Sequence, residues 1–193
     1  MNTDLSDRFF KDGEKAKIDP NHSIHKSYRH LIEFFAQREE LNENDAVIGS
    51  FSVYGLMPTI LDLRGDLAKT VLLLNKVKRE GSRLSVEEIK EIASRVNGSI
   101  TGTSKLLHFV RPDVHAMWDS RVYRYLYRIE PHQYRLNADG AYHNYLETLA
   151  KLGKDQRFPK LKERIEKQLR YNVSNNRIGE FVMYFHGAPA LIG

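Results

Sequence analysis

In nearly every segment of this chain the apolar residues recur three and four positions apart, and nowhere do they alternate over the length of a strand. That spacing gathers them on one face of an α-helix, whereas in a strand it would scatter them over both faces. The pattern therefore predicts an all-α protein. Ile24, Tyr28, Leu31, Ile32 and Phe35 define an amphipathic helix over about residues 24–39. Leu67, Val71, Leu74 and Val77 define another over 66–78, and Val86, Ile89, Ile92, Ala93 and Val96 a third. Tyr142, Tyr145, Leu146 and Leu149 mark a helix that Gly153 ends; Leu161, Ile165 and Leu169 mark the next. A last helix over 177–186 turns Ile178, Phe181, Val182 and Phe185 inward.

Helix boundaries are also written in the sequence. Leu41 to Asp45 carries capping chemistry, and Ser85 with Glu88 forms a capping box. Asn97-Gly98 stops the helix that Ser85 opens. Ala46 to Leu61 holds no charge, which reads as a buried central helix broken between Gly55 and Pro58. In a variant of that reading, Tyr54 and Met57 line a pocket for a flat aromatic ligand. Residues 1–20 read as a short helix with a loose lead-in, and the uncharged tail from Gly187 as a segment that folds back. No linker stands out, so residues 1–193 read as one helical domain.

Cysteine is absent, which excludes disulfides, iron–sulfur clusters and thiolate zinc sites. His22, His25 and His30 lack the spacing of metal ligands and read as surface histidines. No metal and no cofactor are expected. The polar start is no secretory signal and no apolar run spans a membrane, so the expected location is cytoplasmic, at the nucleoid if the protein binds DNA. The net charge is +5, and its distribution matters more than its sum. Residues 151–170 hold eight basic side chains against three acidic ones. That run reads either as a phosphate-binding face or as a solvated helix surface.

The chemistry concentrates between Asn97 and Arg128. Gly98-Ser99-Ile100-Thr101-Gly102 reads as a turn, a helix follows over 103–110, Pro112 breaks it, and Asp119 stands where the next helix begins. An aspartate at an N-cap faces unpaired backbone N–H groups and the positive end of the helix dipole. Capping alone accounts for many such residues. The order of glycine turn, short helix, Pro-containing loop and Trp118-Asp119-Ser120-Arg121-Val122-Tyr123-Arg124, however, resembles the helix-hairpin-helix (HhH-GPD) DNA glycosylases.

The resemblance implies two helical lobes, with a helix-hairpin-helix-like unit over about 85–129 at the cleft between them. It implies Asp119 as the essential carboxylate and Lys105 as the residue for a Schiff base, a phosphate-binding or surface lysine being the other reading. Gly98, Gly102, Thr103, Ser104, Arg121 and Arg124 are the expected contacts to double-stranded DNA, and Tyr54, Met57 and Trp118 the expected base pocket. The reaction would flip a damaged or modified base and hydrolyse its N-glycosidic bond. His108 and His115 read either as proton carriers or as packed helix-face residues, and Trp118 also reads as core behind Asp119. The competing classes are a non-catalytic DNA-binding helical protein and a helical adaptor for a protein partner.

Overall fold

The computed structural model describes residues 3–188. Among them are eleven helices: α1 (Thr3–Lys15), α2 (Ser23–Ala36), α3 (Glu43–Tyr54), α4 (Ala68–Glu80), α5 (Val86–Arg95), α6 (Ile100–Val110), α7 (Ser120–Tyr127), α8 (Gln133–Leu136), α9 (Ala141–Leu152), α10 (Phe158–Leu169) and α11 (Asn175–His186). The protein is all-α; β-structure among the described residues amounts to the isolated bridge between Leu63 and Val96. No helix among them is long and apolar enough to cross a membrane. The chain forms two compact units, a middle one over Asn21–Ala116 and a terminal one joining the residues up to Pro20 with those from Met117 onward.

The middle unit is built around α6, which packs against α2, α3, α4 and α5. Every α6 residue except Thr101 and Lys105 is buried. Its composition permits this: Lys105 is its one Lys, Arg, Asp or Glu, and it lies with Thr101 on the side that stays partly exposed, while small and apolar residues make up most of the rest. The uncharged stretch after Ala46 is not the central helix that the sequence predicts. Its first part, up to Tyr54, lies in α3, which leaves Ile48 and Phe51 50% and 56% exposed; the helix ends at Gly55, where the sequence predicts the break. Absence of charge permits burial, but α6 already occupies the centre. Asn42 and Asp45 close a capping box on α3, within the stretch where capping is expected, and Ser85 and Glu88 close the predicted one on α5.

His25 is buried, contrary to its reading as a surface residue, and His22 caps α2 by accepting the Ile24 N–H. His108 is fully buried. Its Nδ1 lies 2.8 Å from the His115 carbonyl and its Nε2 lies 2.9 Å from the Tyr28 hydroxyl. A carbonyl can only accept, so Nδ1 carries the proton and Nε2 accepts from Tyr28. This histidine holds α6 to α2 as a packed, hydrogen-bonded residue.

In the terminal unit α11 packs on α7, α9, α1 and α10. Ile178, Phe181 and Val182 face inward as predicted, but Phe185 is 38% exposed and the inward face takes Arg177 and Glu180 instead. The lead-in after α1 is fastened: Ile18 donates its N–H to Gln168 at 3.0 Å, and Ala16 and Ile18 are buried. Tyr125 donates to Asp12 at 3.0 Å while Arg8 donates to the Tyr125 carbonyl, pinning α1 to α7. Burial first, then the Asp12 charge, raises the Tyr125 pKa far above the usual phenol range. The predicted fold-back of the tail falls on residues past 188 and lies outside the described residues.

Gly187 shows how closely α11 meets α7. A Cβ there would lie 1.9 Å from the Arg121 carbonyl oxygen, so only glycine fits. Gly187→Ala should destabilise the protein by about 1–3 kcal/mol, the usual cost of overpacking a well-packed contact. Denaturant unfolding measures it; a midpoint equal to wild type would mean that the two segments separate freely.

Candidate functional site

Asp119 adopts extended backbone (φ −153°, ψ −177°) and caps α7. Its Oδ1 accepts from both the Arg121 and the Val122 N–H, each at 3.0 Å. The side chain is half-buried, and Oδ2 takes no part in the cap. The carboxylate is thus fixed through one oxygen. Capping positions it, and the dipole of α7 favours its negative charge.

Behind Asp119 the unit is closed. Trp118 is fully buried, donates Nε1–H to the Leu136 carbonyl at 3.1 Å, and packs on Tyr123 and Tyr145 with ring centroids 5.7 Å and 5.2 Å away. It is core, in agreement with the alternative reading and not with a base-pocket role. Beside it lies a polar cluster that the sequence reading missed. Arg177 and Glu180 form an ion pair, both nearly fully buried, and Arg177 also sits 3.4 Å from the Met117 sulfur and 4.1 Å over the Phe181 ring. The Tyr145 hydroxyl is buried without a hydrogen-bond partner among the described residues. Burial above all, and then the negative charges of Glu180 and Asp119, drive its pKa well up. The signal in the sequence was Arg177 and Glu180 at i, i+3 on a helix face otherwise made of Ile178, Phe181 and Val182.

The arginines after Asp119 are partly committed within the protein. Arg121 lies 4.4 Å over the Tyr184 ring. Arg124 donates to the Gly187 carbonyl at 2.9 Å and pairs with Glu130 at 3.2 Å. Both are half-buried, while Arg128 is exposed and takes a left-handed conformation (φ 55°) after the end of α7.

The remaining predicted residues belong to the middle unit. The turn is shorter than predicted, because Ser99 caps α6 by accepting the Gly102 N–H at 3.1 Å, which draws Ile100 to Gly102 into the helix. The left-handed residues are Asn97 (φ 56°) and Gly98 (φ 64°). Of the expected phosphate contacts, Gly98 is exposed, whereas Gly102, Thr103 and Ser104 are buried in the first turn of α6. Lys105 is half-buried. Gly102 is small because Tyr54 stands against it: a Cβ would come within 2.5 Å of the hydroxyl. Tyr54 is itself buried and donates to the Val96 carbonyl at 3.4 Å, so it braces the α5–α6 turn. Burial raises its pKa, with a hydrogen bond to Ser99 working the other way. Met57 is half-buried in the turn after α3.

The same turn carries a clamp that sequence reading did not find. Asn97 accepts from the Asp62 N–H, donates to the Ile60 carbonyl at 2.8 Å, and its own N–H reaches the Asp62 carbonyl at 3.3 Å. The loop held this way presents Ile60, 92% exposed. Among the described residues no group of three or more His, Cys, Asp or Glu side chains could hold a metal ion. Comparison with family models, with curated proteins and with solved structures gives no match in any of the three.

Two substitutions separate the structural work of Asp119 from its charge. Asp119→Ala removes both bonds to the α7 amides and should cost about 1 kcal/mol of stability. Asp119→Asn keeps an accepting oxygen at the cap and should melt within a degree or two of wild type, since the shift scales as roughly 2–4 °C per kcal/mol at this chain size. Thermal unfolding of the pair checks this; equal losses would mean that charge, and not hydrogen bonding, supplies the stabilisation.

Proposed function

We propose that this protein is a DNA N-glycosylase of the helix-hairpin-helix kind, removing a damaged or modified base from duplex DNA. The observation that carries the reading is the Asp119 carboxylate, fixed by Oδ1 on two amides with Oδ2 outside the cap. The resemblance of Trp118 to Arg124 to the family segment supports it.

A base stacked in a duplex is unreachable at its glycosidic bond, so the nucleotide is first flipped out. As the N–C1′ bond breaks, its electron pair leaves with the base and positive charge develops on the sugar. Oδ2 of Asp119, held at a fixed position, stabilises that oxocarbenium-like state. Water then bonds to C1′ and its proton balances the departing base. Gly98, Ser120 and Arg128 are exposed and open to phosphate. Strand cleavage would in addition need the Lys105 amine to attack C1′.

A second reading, a non-catalytic helical DNA-binding protein, draws on one observation. Both hydrogen bonds of Asp119 are capping bonds, so its part in α7 is complete without a substrate.

Incubation with DNA carrying diverse damaged and modified bases, followed by mass spectrometry of freed bases, decides between them. Wild type should release a base. Asp119→Asn should stay folded and bind DNA, yet lose on the order of 10²-fold or more in rate, as for loss of a transition-state electrostatic partner. Equal release by the variant, or none by wild type across the panel, ends the enzymatic reading. Borohydride trapping that depends on Lys105 would place the lysine in the chemistry.

A further inference from the structure

We propose that the exposed face of α10 is a docking surface for the sugar–phosphate backbone of a nucleic-acid duplex, built from residues other than Asp119 and the α5–α6 turn. Lys160, Arg164 and Lys167 follow one another at i, i+4 and i+7, all exposed, with Phe158, Leu161, Ile165 and Leu169 buried on the opposite side. At 100° per residue the three cations fall within an arc of about 60°, and at 1.5 Å per residue they span roughly 10 Å along the axis. They line an open groove of about 510 Å³ together with Glu163 and Gln168. Glu163 is the one acid in it, so the groove keeps a charge of +2.

Two of the neighbouring cations are already committed within the protein. Arg157 is bound to Asp7 at 2.8 Å and to Asp155 at 2.7 Å, and its hydrogen bonds hold the Asp155 carboxyl far below the usual carboxylate range. Lys162 reaches Asn175 at 3.1 Å and Glu166 at 3.8 Å. Lys160, Arg164 and Lys167 take part in no salt bridge of the described residues. The basic run of the sequence thus holds cations tied to acids and cations that face water, and among the latter Lys160, Arg164 and Lys167 share one face of α10.

The surroundings of that row select the occupant. A helix that lies on a membrane sets bulky apolar side chains beside its cations so that they enter the lipid. Here the apolar side of α10 is spent on the protein's own core. Single strands are gripped by aromatic side chains that stack on bases, and the groove is lined by none. What remains is a row of charge without base-reading chemistry, which suits a duplex read through its phosphates.

The test is equilibrium binding of the full chain to a fluorescent DNA duplex over a salt series. Lys160→Gln, Arg164→Gln and Lys167→Gln are combined in one variant, and Lys26→Gln, Lys69→Gln and Lys90→Gln, all exposed in the middle unit, in a second that loses the same net charge. The first should lose tenfold or more in affinity at low salt, with a log–log salt slope shallower by up to about 3, one for each phosphate contact. The second should bind like wild type. Arg164→Gln alone gives a milder variant if the triple one unfolds, and should flatten the slope by about 1. Equal losses in both triple variants, an unchanged slope, or row-dependent binding to phosphatidylserine vesicles in place of the duplex overturns the proposal. Asp119→Asn, which leaves α10 untouched, should bind as wild type does. Duplex binding that needs the α10 row, without any base release, would therefore sink the glycosylase reading and leave this one standing.

Discussion

Short helices cannot hold themselves, and this protein is made of little else: its helices run from 4 to 14 residues. A helix of that length is marginal in water, and each end leaves backbone groups without partners. The fold therefore depends on what satisfies the helix ends. Asn42, Ser85, Ser99, Asp119 and Ser174 each accept N–H groups at a helix start, and residues in left-handed conformation follow α4, α7 and α10. Packing then decides which faces are covered. Asp119 belongs to this scheme before it belongs to any chemistry, which is why its geometry is so well fixed.

The same economy shapes the rest of the candidate site. Tyr54, Gly102 and Ser99 form a brace in which a phenol, a missing side chain and a cap close the α5–α6 turn. Asn97 ties the 60–64 loop to that turn with side-chain and backbone bonds. Groups that a motif presents as ligand contacts are here partly consumed by holding the turn in shape. Arg124 is another such case, with one arm on Gly187 and the other on Glu130. The buried Arg177–Glu180 pair raises a different question. Two charges taken out of water are costly to bury, so the pair is weak evidence for stability, while removing one partner would leave an uncompensated buried charge. It lies beside Tyr145, where the Glu180 charge adds to burial in raising the phenol pKa.

Much of this was legible in the sequence because it is local. Ser85 with Glu88, Asn42 with Asp45, and Asp119 before a helical run each specify a helix start through groups within three residues. The periods of α2, α4, α5, α9 and α10 likewise needed only neighbours on the same helix. Where sequence reading failed, a distant partner had decided. An uncharged stretch suggested that α3 was the core, but α6 was, since only one helix can occupy the centre of its unit. Phe185 fits the apolar period of α11, yet Arg177 and Glu180 are the residues enclosed. The turn at 98–102 was read one way from its two glycines. Ser99 ended it early by capping α6, and Gly102 proved to be small for the sake of Tyr54.

The sequence alone determined that the chain is helical, where most helices begin and end, and that Asp119 stands at a helix mouth, because hydrogen bonds and periodicity along a single stretch of chain fix those things. Only the tertiary structure decided which cations face water and which are tied to carboxylates, which glycine is a turn and which a clearance, and which polar side chains are enclosed. Those are properties of surfaces that residues far apart in the chain create together, and no single segment carries them.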